Sequence, residues 1–283
     1  MRYFYDDTFL SLGLVNLFTV FIGIISASIT CRSFLFVAPI FISRSRSICC
    51  STTKNDYCEA DKENFFDHGF GIYKYSGNGY AGATIAHGLG AKPHLILVKI
   101  LNTTDNWCGY HKSLGATKRF ELNNSTTPTT STTLWNDTEP TSTVFSLGTN
   151  GQVNGSGNTY IAYVFTEKVG YSKFGSYTGN GNADGPFIHT GFKPAFYIIK
   201  KTDSSKNWFL HDNKRGGVYN PQSNYVNPNL SEAENSFTGI DILSNGLKLR
   251  TSGTGHNQNG ASYIFMAFGQ SLVGSNNVPC TAR

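Results

Sequence analysis

The sequence predicts an all-β protein: two tandem β-sandwich-like domains of about 100 residues each, preceded by an apolar, helical N-terminal segment. Three observations predict it. The first is an internal repeat. IYKYSGNG, ending at Gly79, returns as FGSYTGNG, ending at Gly181. LGAKPHLILVK, Leu89 to Lys99, returns as TGFKPAFYIIK, Thr190 to Lys200. Asn106-Trp107 returns as Asn207-Trp208, and NTYIAYVF, closing at Phe165, returns as ASYIFMAF, closing at Phe268. Four landmarks thus keep their order at offsets of 101 to 103 residues. The second observation is composition. Charged residues are only 14% of the chain, and Asn, Thr, Ser and Gly supply the polarity. Gly and Asn favour turns, whereas Thr, Tyr, Phe and Ile favour strands. The third is pattern. Short apolar or alternating runs are separated by turn signals, and no window of a dozen residues has a helical period.

Residues 1–50 stand apart. FLSLGLVNLFTVFIGIISASI, Phe9 to Ile29, carries no charge and is long enough to span a bilayer. A second apolar run, SFLFVAPIFIS, is short and contains Pro39. Three readings stay open: a membrane anchor inserting residues 9–30, an upstream extension with no native role, and a cleaved signal peptide. Arg2 is offset by Asp6 and Asp7, and no small-x-small site follows, which weighs against the signal. Arg32, Arg44, Arg46 and Lys54 follow the run and would hold the rest of the chain in the cytoplasm. That is an unusual place for Gly/Asn/Thr-rich β domains. Residues 51–67 are polar and read as a linker.

The first domain is expected over residues 68–171. GIYKYS alternates as a strand should, and GNG is a tight turn in which Gly supplies positive φ. HLILVKI is a continuous apolar run, read as a strand buried on both faces, with Pro93 just before it. DNWCGYH, KRFELN, TVFSLG and NTYIAYVFTE supply further strands. Ser125 to Thr133, STTPTTSTT, reads as an exposed loop. The second domain, residues 172–283, repeats this, with NGLKLRTS from Asn245 as an additional strand. The short junction TEKVGYSKFG predicts that the two domains are closely coupled.

Charge and cysteine usage exclude some classes. The net charge is +5, but Lys and Arg are scattered and no basic run interleaves with aromatics, so no nucleic-acid partner is expected. Of six cysteines, Cys31, Cys49, Cys50 and Cys58 precede the repeats, and Cys108 and Cys280 have no counterpart in the other copy. No metal-ligand spacing occurs, so no metal site and no disulfide scaffold is expected. The 18 acidic residues are scattered singly, and no pair suggests glycosidase chemistry. Neither an enzyme nor a cofactor is expected.

Candidate sites remain. GNGYAG, Gly77 to Gly82, matches a dinucleotide-binding pattern, but the following ATIAHGLGAKP is no helix and the second copy breaks the spacing, so it reads as a turn. Histidines recur near His87 and His189, and near His111 and His211, which points to a structural cause. Trp107 and Trp208 hold the same place in each copy and read as core. Trp135 occurs once, in LWNDTEP. Trp135, Asn136 and Asp137 are the candidate ligand-binding residues: an open indole could stack on a pyranose while Asn136 and Asp137 bond its hydroxyls. Glycosylation-type sequons at Asn102, Asn123, Asn124, Asn136, Asn154 and Asn229 come cheaply in a chain this rich in Asn, Ser and Thr.

The run AHGLGAKPHLILVK, NTTDNW, YHKSLG, LWNDTEPTSTVFSLG, TYIAYVFTEKVGYSKFGSYTGNG, GFKPAFYIIKKTD, DILSNGLKLR, YIFMAFGQ and VPCTAR resembles a domain of unknown function found in marine-phage tail-fibre-like and other virion-associated proteins. The resemblance covers roughly Asn64 to Arg283. It implies a structural or host-adhesion role in a virion and no catalytic residues. Other virion proteins and further copies of the chain are the implied partners, with a host-surface glycan as the alternative. The implied location is the virion, with membrane anchoring as the alternative. Members often follow a lectin-like sandwich, and here the apolar segment stands in its place.

Overall fold

The computed structural model describes residues 69–215 and 220–269. The apolar segment, the linker and every cysteine but Cys108 lie outside them. The first half contains β1 (Phe70–Ser76), β2 (Ala83–Ala86), β3 (Leu95–Ile100), β4 (Cys108–His111), β5 (Lys118–Glu121), β6 (Thr129–Thr130), β7 (Val144–Leu147) and β8 (Thr159–Phe165). The second contains β9 (Ser172–Thr178), β10 (Phe187–His189), β11 (Pro194–Lys201), β12 (Trp208–Asp212), β13 (Gln222–Tyr225), β14 (Asn235–Leu243), β15 (Gly246–Leu249) and β16 (Ser262–Gly269). A single helical turn, Gly151–Asn154, is the only α-helix among the described residues. The all-β expectation holds.

Every pairing is antiparallel, and four sheets result. One has the order β1-β8-β3-β4-β5-β6 and lies over the pair β2-β7. Another has the order β12-β11-β16-β9 and lies over β10-β15-β14-β13. The chain order β1-β8-β3-β4 therefore recurs, reversed in the sheet notation, as β9-β16-β11-β12. In each case the apolar run at the proline is the central strand, paired on one side with the strand that begins at or just after the tryptophan and on the other with the closing strand.

Period-two alternation explains three separate cores. On β3, Ile96, Val98 and Ile100 point inward against Phe145, Leu147 and Trp135, while Leu95 and Leu97 point to the opposite face. On β11, Tyr197 and Ile199 face Ile240 and Leu247, while Phe196 and Ile198 face the other way. The two outward faces meet. Fifteen buried side chains from both halves, among them Leu97, Phe120, Phe165, Phe174, Trp208, Met266 and Phe268, form one central cluster. Phe165 meets Phe268 edge-on at 6.0 Å and Phe120 meets Trp208 at 5.1 Å between ring centres. Trp107 and Trp208 are buried as expected, but in this central layer and not within either sandwich.

Polar contacts reinforce the central layer. His111 Nε2 lies 3.3 Å from the Phe265 carbonyl, and Trp208 Nε1 donates to the Glu121 carbonyl at 3.1 Å. The 125–133 stretch, expected as an exposed loop, stays exposed or half-buried but takes part as well. Thr129–Thr130 pairs with Lys118–Arg119, and the Ser125 carbonyl accepts from Lys206 N at 3.1 Å and from buried Lys200 Nζ at 3.3 Å. Its low complexity hid these backbone bonds, because any residue supplies a carbonyl.

Candidate functional site

The residues expected to bind a ligand lie at one end of the first sandwich, where three loops meet. The turn 77–82 is the first. Gly79 and Gly181 have φ of 76° and 66°, which only glycine adopts without strain. A buried asparagine holds each turn from below. Asn154 Oδ1 accepts from Asn78 N at 3.0 Å, and its Nδ2 donates to the Tyr80 and Gly148 carbonyls. Asn257 does the same in the second half, accepting from Asn180 N and donating to Asn180 Oδ1 and the Asn182 and Thr251 carbonyls. One fully buried amide thus satisfies four backbone or side-chain groups, which fixes the loop geometry. Asn154 stood in the sequence only as a cheap sequon match. The shared 103-residue offset of Asn154 and Asn257, equal to that of Phe165 and Phe268, was the signal that could have found both.

Trp135 corrects the sequence expectation. It is only 2% exposed and belongs to the first sandwich core, meeting Tyr110 edge-on at 6.1 Å. Leu134 beside it is fully buried, and the Leu134 carbonyl is bonded to Gly148 N. The indole fills the space under β4 and cannot offer a face to a sugar. Its neighbours do reach the surface. Asp137 is exposed and Asn136 half-buried. Both have positive φ, 53° and 45° for Asn136 and Asp137, and no other non-glycine among the described residues does. Asn and Asp are the side chains that tolerate this region. Opposite them, the GNGYAG turn carries Tyr80, which is 75% exposed. The strand β2 follows this turn, so the motif lacks the helix that a dinucleotide site needs.

His87 and His111 sit in fixed structural roles, whereas His189 is exposed at the end of β10. His87 Nε2 contacts the Thr141 carbonyl at 3.3 Å. His111 Nδ1 accepts from Ser113 N, so its Nε2 carries the proton that points at the Phe265 carbonyl. Burial pushes its pKa down to about 4. The apparent recurrence of His111 and His211 is not positional. His111 pairs with Leu95, whereas His211 pairs with Tyr197, the position that Tyr110 fills in the first half. A one-residue slip in a strand moves a side chain to the other face. His111 therefore points to the central layer and His211 into the second sandwich.

His211 meets His256, a residue that sequence reasoning did not single out. Their Nε2 atoms are 3.1 Å apart, so one imidazole donates to the bare nitrogen of the other. Tyr197 stacks on His211 at 4.9 Å, Phe237 stacks on His256 at 4.4 Å, and Phe209 and Tyr225 complete the surround. Burial pushes the His256 pKa down to about 3 and holds that of His211 well below its ordinary value. Each Nε2 is consumed by the other, and aromatic rings exclude water. Among the described residues no group of three or more His, Cys, Asp or Glu side chains gathers to hold a metal ion. Cys108 is buried and free, and burial raises its thiol pKa far from a reactive range.

Residues 62–271, most of the chain, match a family described as a domain of unknown function, DUF7483. The chain belongs to the DUF7483 family. The match runs through all sixteen strands without a break, so the family definition contains both halves together with their central layer. No curated protein and no solved structure matches this DUF7483 chain.

Proposed function

We propose that this chain is a non-enzymatic structural and display protein of a phage virion, in a tail fibre or related appendage, and that its two sandwiches arose by tandem duplication of one unit. The central apolar cluster carries the reading. A virion spacer must hold its outer surfaces at fixed separation under load, and a buried layer of fifteen side chains joining two sandwiches suits that task. The buried histidines and asparagines bond within the fold and the tryptophans pack in its cores, which fits a protein whose output is shape. The sequence landmarks shared with virion-associated proteins supply the setting. Other virion proteins and further copies of this chain are the expected partners. The virion is the expected location, with a membrane-anchored state as the alternative if residues 9–30 insert.

Mass spectrometry of purified particles, together with light scattering of the isolated protein, tests this reading. The chain is expected in the particles at stoichiometric copy number and as an oligomer in solution. Its absence from particles, or a monomer that turns over a substrate, would sink the proposal. A second reading, adhesion to a host-surface glycan, is favoured by one observation: the exposed Tyr80 is carried on a turn whose base the Asn136 amide reaches.

A further inference from the structure

The exposed tyrosine sits on locked backbone. Tyr80 N donates to Asn78 Oδ1 at 3.0 Å, its carbonyl accepts from the buried Asn154 amide at 3.0 Å, and Gly79 N donates to the Asn154 carbonyl at 2.8 Å. Gly82 N donates to the Leu147 carbonyl at 2.9 Å and closes the turn. A large ring left 75% exposed would ordinarily be carried by a pliable loop. Here the backbone is already ordered, so a ligand meeting the ring would not have to order the chain.

Asn136 reaches the same turn. A side chain at Gly82 would begin 3.8 Å from Asn136 Nδ2, which places the amide at the base of the Tyr80 loop. The backbone there is also fixed: Thr138 Oγ1 donates to the Asn136 carbonyl at 2.7 Å and Thr138 N to the Trp135 carbonyl at 3.0 Å. Among the described residues, neither the Asn136 amide nor the Asp137 carboxylate is engaged by a hydrogen bond or ion pair. Two consecutive left-handed residues are costly to hold, and such geometry concentrates at sites that present side chains. Trp135 thus acts from beneath, as the buried anchor of the segment whose Asn136 amide reaches the base of the Tyr80 turn.

The second half lacks this arrangement. Its turn reads GNGNADG, with Asn182 where Tyr80 stands, and its counterpart of the core indole is the aromatic surround of His211 and His256. A feature confined to one copy of a repeated scaffold is not required by the scaffold. An aromatic face, an amide that both donates and accepts, and a carboxylate that accepts make up the chemistry that recognises a sugar ring: C–H groups against the ring face, vicinal hydroxyls against the polar atoms. The nearby charges select among sugars. Asp137 is an exposed anion, and Lys92 is paired with Glu139 at 2.8 Å, which disfavours an acidic sugar or a phosphate.

We propose that Tyr80, Asn136 and Asp137 form a shallow, solvent-open contact site for neutral pyranose oligosaccharides. The site deepens and rests on the adhesion reading; it stands apart from the question of whether the chain is a virion component. Contact by one ring is weak, and an oligomer would multiply it.

The test is titration of the full chain, followed by NMR or calorimetry, with cellotetraose, chitotetraose and maltotetraose as neutral probes and a sialylated tetrasaccharide as the acidic one. At least one neutral probe is expected to bind with Kd of about 1 mM or tighter. Tyr80→Ala should weaken it by about tenfold or more, worth about 1.4 kcal/mol. Tyr80→Phe should leave it nearly intact, because the ring face and not the hydroxyl makes the contact. Asp137→Asn, which keeps a residue that tolerates the left-handed backbone, should weaken it as well by turning an acceptor into a donor, and Tyr80→Ala and Asp137→Asn should melt like the parent because the side chains are exposed. Failure of every neutral probe, preference for the acidic probe, or binding indifferent to Tyr80→Ala would overturn the proposal. Those outcomes leave detection of the chain in particles unaffected, so the two readings fail separately.

Discussion

Cutting the chain between Glu167 and Lys168 tests the central layer most directly. The first half would expose Phe70, Leu95, Leu97, Trp107, Phe120, Leu122 and Phe165, and the second half Phe174, Phe196, Ile198, Trp208, Leu210, Ile264, Met266 and Phe268. Each is at most 4% exposed in the whole protein. Leaving such a side chain in water forfeits about 1.5–3 kcal/mol. Seven of them amount to about 10–20 kcal/mol, and an extended-chain reference makes this an upper figure. Total domain stability is typically about 5–15 kcal/mol. The loss is therefore as large as anything either half could hold in reserve. His111, Trp208 and Lys200 would also lose partners across the cut. We expect residues 69–167 and 168–269, made separately, to be unfolded or self-associated at micromolar concentration. Mixed together, they should regain near-ultraviolet circular dichroism and a single melting transition. A monomeric half with its own cooperative melt and dispersed amide spectrum would refute the reasoning and restore two independent domains.

Acid should destabilise the whole protein. His256 and His111 have folded pKa values pushed down to about 3 and about 4, against about 6.5 unfolded, so the unfolded state takes up protons first. Their contribution is complete above pH 6.5 and is lost as pH falls below it. At pH 4.5 the loss is on the order of 2–3 kcal/mol for each, and denaturant midpoints should fall accordingly. The pair His211→Tyr and His256→Val, which installs the residues of the first half, should flatten this dependence; an unchanged profile would remove the histidine explanation. Asn257→Ala should cost about 3 kcal/mol, since it strands Asn180 N and two carbonyls. A melt within error of the parent would show that water replaces the amide. Gly181→Val should destabilise more than Gly79→Val. Its Cβ would start 2.8 Å from Asn259 Cβ, against 3.4 Å from Ser156 Cβ at Gly79, at similar positive φ. The reverse order of melting temperatures would contradict this.

Much of the fold was legible because strands announce themselves locally. LILVKI is apolar at every position but Lys99, and such a run reads as a strand buried on both faces. The two faces were correct, but what covers each of them was not legible. Trp107 and Trp208 looked like sandwich core and lie between sandwiches, because period-two alternation tells which residues share a face and not what meets that face. The candidate site shows the same limit. LWNDTEP looked open because Asn, Asp, Thr, Glu and Pro surround Trp135 in sequence. In space Trp135 shares a core with Tyr110 of β4 and Phe145 of β7, which come from other strands. GNGYAG was legible as a turn, yet Tyr80 drew no attention because exposure is a property of the assembled surface.

The amino-acid sequence by itself determined the strands, the glycine turns and the repeated order of landmarks, all of which depend on residues within a few positions of one another. Only the tertiary structure decided three things: that the outward faces of the two halves close on each other, that His211 and not His111 meets His256, and that Tyr80 and not Trp135 reaches solvent. Each of these depends on contacts between residues far apart in the chain, where register and packing choose the partner and local composition has no vote.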